Sequence, residues 1–241
     1  MSEIDNHDNP DWTPLEEEED RRQRDGLLEW LEDAGFDATN PATILDLGCG
    51  AGRVMVPLVE AGHRVVGVDR DPEAVERVRA ALPEVAEWKA FEYDFVNGDD
   101  ELPAPFGKYD AVVCLGHTWM LLAEINQAVA TAQRLAASLK PHGLFILDDI
   151  PGELWPSVMY GAWVTGVSED ESSQFVWAHD DAVFTLRAGP DVDPDRDTLE
   201  PGDTRFRLWT RGALELLARL TGFAPPIAHP DVALMVLRRA E

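Results

Sequence analysis

The sequence predicts a doubly wound α/β fold, a mostly parallel sheet with helices on both faces, on the strength of three observations. Short apolar runs at Ile44–Leu47, Arg64–Asp69, Tyr109–Leu115 and Gly143–Asp148 are spaced so that a helix fits between successive strands. The first run opens directly into a glycine-rich turn, Gly48-Cys-Gly-Ala-Gly52, and then into the amphipathic stretch Val54–Glu60. After Asp149 the pattern changes to period-two alternation, which adds a small antiparallel unit to a parallel sheet with right-handed crossovers.

Residues 1–12 are polar and acidic. Thr13-Pro14-Leu15-Glu16 then has the form of a capping box with Pro at the first helical position. The helix it starts runs to about Asp33, with acids at its N-terminal end, where the dipole favours them, and an apolar stripe at Leu27, Leu28, Trp30 and Leu31. Beyond the first strand and helix, Arg64–Asp69 forms the second strand, and Asp71-Pro72-Glu73 caps a helix through about Leu82. The third strand lies near Ala86–Tyr93 and the fourth at Tyr109–Leu115. A long helix over Leu121–Leu139 is stopped by Lys140-Pro141-His142-Gly143, and the fifth strand follows.

A short helix is expected over 151–163, with Trp155, Met159, Tyr160 and Trp163 on its apolar side. Gln174–Trp177, Ala182–Arg187 and Thr204–Trp209 alternate as antiparallel strands around the Pro- and Asp-rich loop Gly189–Gly202. Arg211–Leu220 forms a helix and Val232–Leu237 a last strand. At 241 residues the chain reads as a single domain. Residues 1–40 supply a tail and covering helix, and 151–209 an insertion or substrate cover.

The chain carries 46 acids against 20 bases, a net charge of -26. Nucleic acid and anionic membranes are bound mainly through Lys and Arg, so neither is expected as a partner. No apolar run is long enough to span a bilayer, and the acidic N-terminus lacks the form of an export signal, which makes the cytoplasm the expected location. Cys49 and Cys114 are the two cysteines; without a C-x-x-C pair or further ligands nearby, no metal site is expected.

Chemistry concentrates at the glycine turn. Glycines lack the Cβ that would keep backbone away from a ligand, and the helix that follows aims free N–H groups into the turn. Asp46-Leu-Gly-Cys-Gly-Ala-Gly52 resembles the first motif (D/E-x-G-x-G-x-G) of class I S-adenosylmethionine-dependent methyltransferases. A nicotinamide dinucleotide fold prefers G-x-G-x-x-G, whereas this chain has Arg53 at the place of the third glycine. An acid two residues before the first glycine also suits a cationic ligand better than a pyrophosphate. The rival readings are an NAD-dependent oxidoreductase and a non-catalytic binding module of the same fold.

The resemblance implies a seven-stranded sheet whose last strand enters antiparallel. It implies that S-adenosylmethionine, leaving as S-adenosylhomocysteine, is held by Asp46, Gly48, Cys49, Gly50 and Gly52 of the loop. Asp69, closing the second strand beside Arg70, matches the acid that accepts the ribose hydroxyls. Asp94 and Phe95 match the pair that meets the adenine; the alternative for Asp94 is an ordinary loop acid. Asp110-Ala-Val-Val-Cys-Leu-Gly-His-Thr-Trp119 resembles the D-A-V-I-C-L-G-N-S-F segment of glycine and sarcosine N-methyltransferases, and this places Leu115 and Gly116 beside the methionine part. His117 replaces the Asn of that group and is the candidate base; the alternative is a hydrogen-bonded loop histidine. Where that group has an Arg that grips a substrate carboxylate, this chain has Ile150 after Asp148 and Asp149. Glycine is therefore not the expected acceptor; a neutral or amine-bearing small molecule, methylated at nitrogen or oxygen, fits better. Asp148 and Asp149 are the right kind of residue for Mg²⁺, but an acid after the fourth strand is missing.

Overall fold

The computed structural model describes residues 17–83, 87–98, 101–149 and 164–240. Seven strands make the main sheet: β1 (Thr43–Leu47), β2 (Arg64–Asp69), β3 (Trp88–Glu92), β4 (Tyr109–Cys114), β5 (Leu139–Asp148), β10 (Ile227–Ala228) and β11 (Leu234–Arg238). Side by side they run in the order β10-β11-β5-β4-β1-β2-β3. The first five are parallel, β11 runs antiparallel to β5, and β10 runs antiparallel to β11. The strands alternate with α1 (Glu17–Asp33), α2 (Met55–Glu60), α3 (Pro72–Ala81) and α4 (Ile125–Ser138); α5 (Arg211–Thr221) precedes the final antiparallel pair.

Period-two side-chain alternation explains why the sheet is covered on both sides. Leu45, Leu47, Val66, Val68, Val112, Cys114, Phe145 and Leu147 point to one face. There they meet Ala128, Ala132 and Leu135 of α4 and Leu214, Leu217 and Ala218 of α5. Ile44, Val65, Ala111, Val113, Leu144 and Ile146 point to the other, against Leu27 and Leu31 of α1, Met55 and Leu58 of α2, and Val75 and Val78 of α3. Burying each of these larger aliphatic side chains stabilises the fold by about 1.5–3 kcal/mol. Strand β1, buried along its whole length, lies inside the sheet between β4 and β2.

Several helix boundaries have plain local causes. Asp71 caps α3 by accepting from the Glu73 amide, and Thr210 caps α5 by accepting from the Ala213 amide. Gly222, at φ 84°, closes α5 in the left-handed conformation. Pro57 is tolerated in α2 because it falls in the first turn, where backbone N–H groups have no partner inside the helix.

A second, antiparallel sheet is built from β6 (Gly166–Val167), β7 (Ser173–Trp177), β8 (Val183–Ala188) and β9 (Phe206–Arg207), paired in that order. On one face Phe184 stacks with Trp177 at 4.5 Å and Phe206 at 5.7 Å between ring centres. This cluster packs on Met120 and Leu208. On the other face, buried Arg187 holds the loop 189–203 through Asp203 and the carbonyls of Arg196 and Thr198, while Gln174 binds the main chain of Asp193 and Arg196.

The structure redraws some expected boundaries. Residues Thr118–Leu121 form a 3₁₀ turn, so α4 begins at Ile125 and not at Leu121. Lys140–Gly143, expected as a turn, continues β5: the register shifts between Tyr109 and Ala111, and His142 absorbs the irregularity at φ 61°. The expected strand at Thr204–Trp209 shortens to Phe206–Arg207, while β6 and β10 are too short to show a period. The start of α1 at Thr13 and the helix expected over 151–163 lie outside the described residues.

Candidate functional site

The chain order reverses at β1, whose neighbours are β2 on one side and β4 on the other, so the carboxyl ends of parallel strands diverge there and leave a crevice. The glycine loop fills the base of this crevice. Gly48, Gly50 and Gly52 have φ of 78°, 52° and 95°. The Gly48 and Cys49 amides both donate to the Val68 carbonyl, at 2.8 and 3.0 Å, pinning the loop to β2. A Cβ on Gly48 would lie 2.4 Å from Thr118 Cγ2, so the glycine is needed for the loop to touch the turn after β4. A Cβ on Gly50 would meet nothing within 4 Å, leaving open space on the ligand side of the loop.

Each of the three expected carboxylates has a different setting. Asp46 is buried at 2% exposure, and its Oδ2 has no hydrogen-bond partner in the protein. Burial pushes its pKa up to about 7; neighbouring Asp69 adds to the rise, while Arg53 and the Met55 amide oppose it. Asp69 is held by the loop itself, its Oδ2 accepting from the Gly50 amide at 2.8 Å and its Oδ1 from the Asp71 amide at 3.0 Å. The Tyr93 amide donates to the Asp69 carbonyl, which brings the β3 loop alongside. Asp94 turns onto its own loop, accepting from the Val96 and Asn97 amides and from Asn97 Nδ2. Burial works to raise its pKa, but these donors and Arg70 outweigh it and hold the group below the usual carboxylate range.

The remaining expected residues have the following settings. Phe95 is buried and its carbonyl is fixed by Arg134 and Thr131. Leu115 is buried at the end of β4, Gly116 is exposed, and Arg70 is exposed next to Asp69. Buried Cys49 donates weakly to the Gly50 carbonyl; burial raises its thiol far above the ordinary value, so it is no nucleophile. His117 has φ 64° and donates its backbone N–H to Asp148 Oδ2 at 2.8 Å.

Reading the sequence alone misses a partly buried chain of polar groups that starts at Arg53, next to the loop. Arg53 Nη1 donates to Asp20 Oδ1 and to Gln23 Oε1, the latter at 3.0 Å; Gln23 Nε2 donates to Asp148 Oδ1 at 2.7 Å. The available signal is its place in the helix, since Gln23 lies four and eight residues before Leu27 and Leu31, on the buried stripe. The acidic pair after β5 also has no cation beside it in the sequence. In the fold, Arg211 at the start of α5 pairs with Asp149, a contact across 62 residues that local pattern does not reveal. With Asp148 and Asp149 both engaged in this way, no group of three His, Cys, Asp or Glu among the described residues is arranged to hold a metal ion.

Comparison with known proteins agrees with this architecture. Residues 44–143 match a family described as a methyltransferase domain. An uncharacterized methyltransferase from Synechocystis sp. is 33% identical over 110 residues, which cover 44% of this chain and 46% of that protein. Glycine N-methyltransferase from Rattus norvegicus is 28% identical over 115 residues, covering 44% and 39%. The match thus spans less than half the length of these curated relatives. Among solved structures, that of CalS10 from Micromonospora echinaspora, an amino pentose methyltransferase with S-adenosylmethionine bound, has a TM-score of 0.61 at 17% identity over 92% of each chain. Sheet order and structural likeness lead to one conclusion: the chain has the fold of the S-adenosylmethionine-dependent methyltransferases, and its residues 44–143 are similar in sequence to a methyltransferase domain.

Proposed function

We propose that this protein transfers a methyl group from S-adenosylmethionine to a small-molecule acceptor, at nitrogen or oxygen. The observation that carries the reading is Asp46, a buried carboxylate with an unpartnered oxygen, two residues before the first glycine of a loop that is open at Gly50. Leaving a buried acceptor unpaired costs about 1–3 kcal/mol, a cost that a cationic ligand group would remove. An ammonium group of the cofactor's methionine end fits that oxygen, and the open side of Gly50 admits the chain beside it. A dinucleotide's pyrophosphate would meet this acid as a like charge.

When bound, S-adenosylmethionine supplies an electrophilic methyl carbon on a sulfonium. The residues of the chain do the rest. Asp69, fixed by two backbone amides, accepts from a ribose diol, with Arg70 at its edge. Phe95 and Leu115 line the apolar walls that exclude water, Asp94 closes the loop at the adenine end, and Gly116 keeps the turn after β4 low. Cys49 and Gly52 shape the loop without entering the chemistry. In this reading His117, in the turn after β4, takes the proton an amine or hydroxyl gives up. Alignment and desolvation of the acceptor account for most of the acceleration in such a displacement. The small molecule is the proposed partner, with neither nucleic acid nor membrane, and among the described residues no helix is long and apolar enough to cross a bilayer.

The test is calorimetric titration with S-adenosylhomocysteine and then NAD. We expect micromolar binding of the first and none of the second. Binding of NAD would point to the oxidoreductase, and silence for both in folded protein would leave a non-catalytic module.

A further inference from the structure

We propose that Gln23 and Asp148 are positioning residues: they form a relay that couples the seating of α1 over the glycine loop to the main-chain geometry of His117. The relay rests on the proposed role of His117 at the reacting end of the site, but its parts are all in the fold. Arg53, which leaves the glycine loop, donates to Gln23 Oε1 at 3.0 Å; Gln23 Nε2 donates to Asp148 Oδ1 at 2.7 Å; Asp148 Oδ2 accepts the His117 amide at 2.8 Å. Gln23 and Asp148 are 5% and 8% exposed, so water does not substitute for either partner.

Each link has one polarity. Arginine only donates, so Gln23 must present its oxygen to Arg53 and its NH₂ to Asp148. Asp148 must then accept on both oxygens, because its other neighbour is a backbone N–H. The end of the relay is a residue that needs holding. Gly116 and His117 are consecutive left-handed residues, at φ 75° and 64°. An L-residue there is strained by its Cβ, and the charge-assisted hydrogen bond to the His117 amide holds it in place. The other end is α1, seated on the sheet by buried Leu27 and Leu31. Gly26 of α1 packs so closely against the segment before β11 that a Cβ would lie 2.6 Å from Val232 Cγ2. Lifting α1 removes Gln23 from Asp148 and leaves the His117 turn held by one oxygen of a carboxylate whose other oxygen is unpaired.

Fixed polarity makes the relay testable by reversal. Gln23→Glu keeps the acceptor for Arg53 but sets a second carboxylate against Asp148. Asp148→Asn keeps an acceptor for the His117 amide but sets an NH₂ against the NH₂ of Gln23. Together the two changes rebuild every link. The glutamate introduced at position 23 accepts both from Arg53 and from the side-chain NH₂ of the asparagine introduced at position 148, whose oxygen accepts from the His117 amide. We would measure hydrogen exchange at the His117 amide by NMR, in the full chain without ligand. Each single variant should speed exchange by about tenfold or more, the scale of a lost charge-assisted hydrogen bond, and the double variant should return it to within about threefold of the starting protein. Wild-type protection in either single variant, or a double variant no better protected or folded than the worse single one, overturns the relay. Because this readout needs no cofactor, failure of S-adenosylhomocysteine binding would remove the proposed function and leave the relay standing or falling by itself.

Discussion

At the scale of single residues, Asp46 and Asp69 divide the work through their surroundings. Asp69 is exposed enough to reach a ligand and is oriented by amides of the loop it serves. Replacing it with Ala should weaken S-adenosylhomocysteine binding by about tenfold or more, the loss expected for charge-assisted hydrogen bonds; unchanged affinity would remove it from the site. Asp46 is different because its pKa is raised to about 7. Below about pH 4 it is protonated in the folded and unfolded chain alike, so it adds nothing to pH-dependent stability there. As pH rises from about 4 to about 7 the unfolded chain gives up this proton more readily than the folded one, and the group progressively destabilises the fold. A bound ammonium favours the charged form and reverses that cost. Affinity for S-adenosylhomocysteine should therefore rise as pH increases toward about 7 and level off above it, with proton release below about pH 7 visible as a buffer-dependent binding enthalpy. Asp46→Asn should bind weakly with a flat pH profile; a wild-type slope in that variant would assign the titration to another group.

At the scale of elements, the antiparallel sheet stands on the 3₁₀ turn Thr118–Leu121 through Met120, while the glycine loop is pinned to β2. The glycine loop thus has its own hydrogen bonds to β2, and it meets the turn that supports the antiparallel sheet where Gly48 touches Thr118. Phe184→Ala removes the ring at the centre of the aromatic cluster, 0% exposed, and should cost about 3–5 kcal/mol in the stability of that cover. Binding of S-adenosylhomocysteine should change little, whereas protection of the Met120 and Leu121 amides should fall; equal loss on both sides would mean the two supports are one. The same division explains what can be read from sequence. The parallel strands and the glycine loop are legible because each is a local pattern: an apolar run, a turn, a helix period. Gln23, Asp148 and the Arg211–Asp149 pair are hidden because their meaning lies in partners 125 and 62 residues away. The sequence position of Asp94 does not show that Asn97 and two amides already occupy its oxygens. Strand ends blur wherever a bulge or left-handed residue lets the chain continue, as at His142.

For the molecule as a whole, the decisive quantity is a net charge of -26 on 241 residues. Many arginines answer neighbouring acids in exposed pairs, such as Arg22–Glu18 and Arg219–Glu215, and pairs of this kind contribute little. The uncompensated acids repel one another in the compact state more than in the expanded chain, so screening should stabilise the fold. Between about 0.05 and about 1 M salt the Debye length falls from more than 10 Å to about 3 Å. Relief of about 1 kcal/mol would raise the thermal midpoint of a chain this size by about 2–4 °C. The same field acts on ligands with the opposite sign. It draws a cation toward the crevice, so the association rate of S-adenosylmethionine, with its sulfonium, should fall as salt rises, and that of the uncharged-sulfur product should fall less. Stopped-flow association of both ligands across that salt range, alongside thermal melts, separates the two effects. A rising midpoint with diverging rates is what an acidic shell around a cation-binding crevice requires. A rising midpoint with parallel rates would confine the acidic surface to a role in stability and leave recognition of the cofactor's charge to Asp46 alone.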